Sequence, residues 1–234
     1  MTSIQENLAL VQERITAAAA KSGRPPEDIC LVAVTKTVPP ERIKEAIAAG
    51  IRHIGENRVQ EAAAKVAAIP AGVTWHLIGH LQRNKAKQAV QMFNLVHSLD
   101  SLRLAETLQK RAEELGQTVD CLVEVNVAGE ETKHGIAPDQ VRPLLRKVSS
   151  LPRLSVHGLM TVAPYVEDPE EVRPVFRRLK EMANEIDKLS LPRVSMEKLS
   201  MGMSGDFEVA IEEGATIVRV GSAIFGVRDY LQTK

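Results

Sequence analysis

Lys36 is the residue whose placement most invites chemistry. Residues 29–35 carry no charge, and an ammonium then appears where a short, branched apolar run ends. A lysine there is either an ordinary solvated strand end or a nucleophile. Burial disfavours an ammonium relative to its free amine, and a free amine attacks a carbonyl to form a Schiff base.

Two later segments carry anion-binding chemistry. SMGMSGDFEVAIEEG (200–214) is a Gly/Ser turn running into a helical pattern, with Ser204 placed to cap it. RVGSAIFG (219–226) is an apolar strand that ends in Gly221-Ser222 and a short apolar run. Exposed N–H groups at such turns bind phosphate, and glycine permits close approach of the backbone. Capping and turn chemistry explain either turn alone. Both together, with Lys36, favour a phosphorylated aldehyde as ligand.

Arg219 stands between Val218 and Val220, so strand alternation points it the other way from both. It serves an ion pair, or it faces a ligand. Against a pyridine ring its consequence is specific. A guanidinium only donates, so the ring nitrogen stays unprotonated and the ring is a poorer electron sink than one paired with a carboxylate.

Other groups say less. His76 and His80 are four residues apart in WHLIGH, a metal-ligand spacing on a helix. The run reads as strand and lacks an acidic third ligand, so no metal site is expected. His157 lies among apolar neighbours and reads as structural. Asn57 touches a ligand or caps the following helix, and Asp206 sits near a helix start, where a carboxylate is favourable. There is no G-x-S-x-G, P-loop or dinucleotide fingerprint.

The elements that must position these residues alternate. Short apolar runs fall at 30–37, 51–54, 73–78, 95–99, 119–127, 154–162, 198–201 and 217–220. The first 22 residues put Ile4, Leu8, Val11, Ile15 and Ala18 on one helical face. A second helix opens at Pro39-Pro40 and stops at Gly50, and further helical patterns lie near 57–68, 82–92, 101–115, 138–149, 169–189 and 205–213. Pro143 and Pro174 imply that two of these helices start later, or kink.

Eight strands alternating with helices argue for a parallel sheet covered by helices, and the count and length fit one closed (β/α)8 TIM barrel over 1–234. Periodicity alone does not separate that from a doubly wound open sheet. In either architecture ligands meet the carboxyl ends of the strands. Those ends hold Thr35-Lys36, Gly55-Glu56-Asn57, Gly79-His80, Ser98 to Asp100, Asn126, Met160-Thr161, Ser200 to Ser204 and Arg219 to Ser222. Apolar strands that turn polar at nearly every end are what a polar pocket at one barrel mouth requires.

Composition narrows the partners. The 234 residues are 44% hydrophobic, and 30 basic side chains balance 30 acidic ones. That balance offers no field for gripping nucleic acid, and 3% aromatics offer few stacking platforms. No apolar run reaches the ~18 residues of a membrane span. Cys30 and Cys121 read as small buried hydrophobes, and the N-terminus as an amphipathic helix rather than a signal peptide. The expectation is a soluble cytoplasmic protein without nucleic-acid or membrane partners.

The stretches VAVTK (32–36), GENRVQE (55–61), WHLIGHLQRNK (75–85), HGLMTVAP (157–164), LSMGMSGDFEVAI (199–211) and VRVGSAIFG (218–226) resemble the YggS/PROSC family of pyridoxal 5′-phosphate (PLP) homeostasis proteins. They span nearly the whole chain in order. The resemblance implies a barrel like the N-terminal domain of bacterial alanine racemases, without the second domain that follows there. It implies PLP as a Schiff base on Lys36, its phosphate at Ser204, Gly221 and Ser222, and its pyridine nitrogen towards Arg219. Asn57, His80, Met160 and Ser200 line the pocket more loosely.

It further implies a monomeric carrier or regulator of PLP supply, acting in amino-acid and keto-acid balance, with PLP-dependent apoenzymes as recipients and no established reaction. The chain ends about eight residues after the last Gly-Ser segment, so the expectation is that no second acid/base faces the lysine as a two-base racemase requires. The competing readings are a PLP-dependent racemase-like enzyme and a Schiff-base aldolase that uses no PLP.

Overall fold

Branched apolar runs such as CLVAV suit a pleated surface buried on both faces. Eight of them form the strands β1 (Cys30–Val34), β2 (His53–Glu56), β3 (Thr74–Leu77), β4 (Leu95–Leu99), β5 (Val119–Glu124), β6 (Leu154–Met160), β7 (Val194–Ser200) and β8 (Ile217–Val220). In this computed structural model, which describes residues 3–130 and 132–226, they pair in sequence order as a closed barrel. β8 returns to β1 in parallel register, with Val32 opposite Arg219. Closure decides for the barrel over the open sheet.

The helices are α1 (Ile4–Lys21), α2 (Pro40–Ala48), α3 (Val59–Val66), α4 (Ala86–Met92), α5 (Leu102–Leu115), α6 (Val141–Val148), α7 (Arg173–Asp187), α8 (Phe207–Glu212) and α9 (Ser222–Phe225). Helix α1 opens with a capping box between Ser3 and Glu6. Its periodic face, Ile4, Leu8, Val11, Ile15 and Ala18, is buried, and it packs on α8 and α9. Pro143 and Pro174 lie in the first turns of α6 and α7, where an absent N–H leaves no bond unmade. The residues before these two helices, 138–140 and 169–172, form short 3-10 turns, so both helices begin later than the patterns alone imply.

Several strands differ from expectation: β1 stops at Val34 rather than at 37, and β2 runs from His53 to Glu56 rather than over 51–54. β5 stops at Glu124; Val125 still donates to the Met160 carbonyl, but there the chain pairs with Ile136 and enters the loop that carries Asn126. β7 begins at Val194, four residues before the apolar run, with Glu197 turned to solvent. The one-turn helix α9 was not legible as a helix. Among the described residues, no helix is long and apolar enough to cross a membrane.

The strands sort their side chains to two cores. Ala33, Ile54, Leu77, Val218 and Val220 pack outward against the helices. Val32, Leu95, Leu122, Met160 and Ile217 form a separate apolar cluster inside the barrel. Above and beside that cluster the interior turns polar.

Candidate functional site at the barrel mouth

Lys36 follows β1 by two residues and is half-buried. Its turn is held from below and from the side. Thr35, fully buried, donates from Oγ1 to Glu56 Oε1 at 2.5 Å. Lys65, reaching over from α3, donates to the Thr35 carbonyl at 2.7 Å, to Glu56 Oε1 at 2.8 Å and to Glu61 Oε1 at 2.9 Å. The Thr37 N–H also donates to Glu61 Oε1. Thr37 adopts φ 62, a left-handed backbone that a β-branched residue rarely takes without outside support.

Charge in this cluster is balanced by contact. Burial pushes the Glu56 carboxyl up, against the hydrogen bonds from Lys65 and Thr35. Burial also opposes the Glu61 charge, but the Thr37 N–H and Lys65 outweigh it and hold that carboxyl below its ordinary value.

Arg219 faces the barrel interior, as alternation on β8 requires, and is nearly fully buried. It donates from Nη1 to Ser200 Oγ at 2.6 Å and from Nη2 to the Thr161 carbonyl at 2.8 Å. Among the described residues it forms no salt bridge; Asp206 and Glu124 act on it only through space. Burial brings its pKa down to about 10, which leaves it charged at neutral pH.

The two glycine turns meet. Ser204 does not cap α8, whose N-terminal flanking residue is Asp206. Its Oγ instead accepts from the backbone N–H of Gly221 at 3.2 Å and of Ala223 at 3.4 Å. This joins the turn after β7 to the start of α9. A Cβ on Gly202 would lie 2.6 Å from the Ala210 side chain, and its φ of +91 is open to glycine, so the tight turn requires this residue. Ser222 is exposed at the first position of α9.

The remaining residues divide by depth. Met160 is fully buried in the interior apolar cluster, beneath the mouth. Ser200 is fully buried as well, its hydroxyl engaged by Arg219. Asn57 and His80 line a cavity of about 670 Å³ together with Gly79, Glu124, His134 and Val162. A Cβ on Gly79 would sit 2.5 Å from the Asn57 carbonyl, so glycine lets those two strand ends approach. Asn57 Oδ1 and Glu124 Oε2 are buried without a hydrogen-bond partner among the described residues. His80 stacks on His134 with ring centroids 4.3 Å apart, and its Nδ1 lies 3.2 Å from Asp100.

A larger cavity of about 800 Å³ lies beyond His80, against Arg83, Arg103 and Lys133, and the lining of neither cavity includes Lys36 or Arg219. Volume therefore does not mark the chemistry here; the donor set does.

Glu124 is the functional-looking residue that sequence reasoning passed over. Burial, then repulsion from Asp100, raise its carboxyl to about 7, with Arg219 opposing. A signal existed: like Lys36, it is a charge at the end of an apolar strand. Lys65 gave none, because it reads as one more helix lysine.

The alanine racemase N-terminal domain family matches residues 3–229 of this chain. A pyridoxal phosphate homeostasis protein of Aquifex aeolicus is 48% identical over 226 residues, covering 96% of this chain and 98% of that one. Its counterpart in Escherichia coli K12 is 41% identical over 235 residues, covering 98% and 99%. The chain belongs to the pyridoxal phosphate homeostasis protein family.

Solved structures agree with that membership. PipY of Synechococcus elongatus, determined with PLP bound, superposes with a TM-score of 0.81 at 39% identity, covering 96% of this chain and all 100% of PipY. An alanine racemase of Clostridium difficile gives a TM-score of 0.75 at 15% identity, covering 98% of this chain but 59% of the racemase, a likeness of fold. This homeostasis-family chain thus has the barrel of the racemase without matching the rest of that enzyme's length.

Proposed function

We propose that this chain holds PLP at the barrel mouth and serves the cell's PLP supply as a non-catalytic carrier. When bound, the cofactor supplies an aldehyde for a Schiff base with Lys36 Nζ. Arg219 carries the reading: a buried, permanently charged, donor-only group with no carboxylate partner among the described residues is suited to a pyridine nitrogen that must stay unprotonated. Register supports it, since Val32 is opposite Arg219 and Lys36 lies two inward positions further along β1.

The chain's other groups have defined tasks in this reading. Lys65 and Glu61 hold the turn that presents the Lys36 amine. The turns joined through Ser204 bring its hydroxyl, which the Gly221 and Ala223 N–H groups hold in place, and the exposed Ser222 together as donors for phosphate oxygens. Asn57 Oδ1 and Glu124 Oε2, both buried and unpartnered among the described residues, are polar atoms available to a ligand's own polar groups. His80 and Val162 border the open side, with Met160 and Ser200 beneath. The same reading takes residues 1–234 as one PLP-binding barrel, cytoplasmic and monomeric, with PLP-dependent apoenzymes as recipients.

The ring-facing arginine also argues for carriage over turnover, because a deprotonated ring is a weak electron sink. Borohydride reduction followed by mass spectrometry tests the reading. A pyridoxyl adduct on Lys36, lost in Lys36→Ala, is expected. An adduct elsewhere, or sustained turnover of D- or L-amino acids by the PLP-loaded protein, overturns it.

A further inference from the structure

The polar interior of the barrel contains a single-file row of hydrogen-bonding side chains, each from a different strand. Arg219 on β8 donates to Ser200 Oγ on β7 at 2.6 Å. Ser200 Oγ lies 2.9 Å from His97 Nδ1 on β4. His97 Nε2 lies 2.9 Å from His76 Nδ1 on β3, and His76 Nε2 lies 3.0 Å from His53 Nδ1 at the start of β2. Arg219, Ser200, His97 and His76 are buried, whereas His53, at the opposite end of the barrel from the mouth, is half-buried.

One group orients the whole row. A guanidinium has no acceptor, so Ser200 Oγ accepts from Arg219, and among the described residues the acceptor within reach of its own proton is His97 Nδ1. A neutral imidazole that accepts at Nδ1 carries its proton on Nε2, so His97 donates to His76 Nδ1. By the same step His76 carries Nε2–H and donates to His53 Nδ1, which leaves His53 with its proton on Nε2. Every link is satisfied by that one assignment. With Ser200 donating to His97, a cationic ring anywhere in the row would set two donors against each other.

The rings are kept neutral by their surroundings. Burial lowers His97 well below its ordinary value, with His76 and Arg219 adding to it. His76 falls to about 3 through burial, then through His53 and Lys198. Burial lowers His53 too.

We propose that His97, with His76 and His53 behind it, is a positioning residue for the cofactor: acting through Ser200, it locks the Arg219 guanidinium in one donor orientation without adding a negative charge beside it. A carboxylate in the place of Ser200 would also hold Arg219, but it would neutralise the charge that faces the ring. A chain of neutral acceptors fixes direction and leaves that charge intact, and aligned hydrogen bonds of this kind strengthen one another. The role towards the cofactor rests on the proposed placement of PLP against Arg219; the proton assignment does not.

Nitrogen-15 NMR of histidine-labelled protein tests the assignment directly. His76 and His97 are expected as neutral Nε2–H tautomers that do not titrate between about pH 5.5 and 8. An Nδ1–H tautomer, or titration of either ring in that range, overturns the proposal. The role is read from the visible band and PLP retention of the loaded protein. Ser200→Ala and His97→Leu are expected to shift the band and speed PLP loss by about tenfold, the equivalent of one hydrogen bond. His97→Gln, whose amide can both accept from Ser200 and donate to His76, is expected to restore most of both. Folded variants with the parent's band and retention overturn the relay while leaving PLP carriage intact. A parent protein that acquires no PLP band overturns the carriage reading and the relay's role, even with the tautomers as assigned.

Discussion

Lys65 Nζ donates to the main-chain carbonyl of Thr35 across 2.7 Å, so a lysine of α3 anchors the turn that displays a second lysine, Lys36. The anchor is an almost fully buried ammonium whose other partners are the carboxylates of Glu56 and Glu61. Thr35 and Lys65 are buried, whereas Lys36 is half-buried. Their contact decides where the Lys36 backbone lies.

Removing that anchor is expected to be costly. Lys65→Met leaves the Glu56 carboxylate buried and unpaired, a loss of about 3–5 kcal/mol. Urea denaturation of the apoprotein measures it. The double variant Lys65→Met/Glu56→Leu is expected to recover much of the stability while still attaching PLP poorly at residue 36, since the Thr35 carbonyl stays untethered. Full recovery of both would show that Lys65 has no part in placing the turn.

Arg219→Glu reverses the hydrogen-bonding sense at the ring nitrogen. A carboxylate there favours ring protonation, so the visible band of the PLP-loaded protein is expected to shift, whereas Arg219→Lys, which still only donates, shifts it less. Absorbance spectra across pH 6–9 check this. A band indifferent to both substitutions places the ring away from residue 219.

Ser204 links two turns, so its loss acts at both. Ser204→Ala removes the acceptor of the Gly221 and Ala223 N–H groups and, in the proposed site, a donor to a charged oxygen. At about 1.5–3 kcal/mol for such a bond, PLP retention is expected to weaken by roughly ten- to a hundredfold, with thermal stability little changed. Ser222→Ala, at an exposed position, tests the phosphate contact without disturbing the link between the turns. Dialysis followed by cofactor quantitation separates the two effects.

Stability should depend on pH through groups of opposite sign. Glu124 is raised from 4.5 to about 7, so the folded chain keeps a proton that the unfolded chain has lost. Its contribution is complete below 4.5 and is lost as pH rises through about 7. His76 and His97 lie below 6.5, His76 at about 3, so their contribution is complete above 6.5 and is lost on acidification. Between 4.5 and 6.5 the Glu124 carboxyl works against the rings, and each proton is worth about 1.4 kcal/mol per pH unit. Glu56 and Asp206, raised by burial, and His53, lowered by it, act in the same two senses, so the decisive comparison is between the parent and a Glu124 variant. Relative to the parent, Glu124→Gln is expected to lose more stability on going from pH 6.5 to 5 and less on going from pH 6.5 to 8. Urea midpoints at each pH measure both slopes, and identical slopes in parent and variant would contradict the burial of the Glu124 charge.

Local pattern determined a good deal of this protein. The helical face of α1, the eight apolar runs and the proline-delayed starts of α6 and α7 follow from backbone periodicity and from the chemistry of single residue types. The resemblance carried by stretches such as VAVTK and LSMGMSGDFEVAI likewise reaches Lys36, Ser204 and Arg219 directly. Tertiary structure decided what depends on register between strands far apart in the chain. Closure through β8 and β1 chose the barrel over an open sheet. His53, His76 and His97 each look like an isolated strand histidine, and only the barrel's inward faces bring them into one row ending at Ser200 and Arg219. Ser204 exchanged a local cap for a bond to another turn, and Lys65 became an anchor because α3 folds over the end of β1. Periodicity records which way one side chain points relative to its own strand; it holds no information about which distant strand supplies the neighbour.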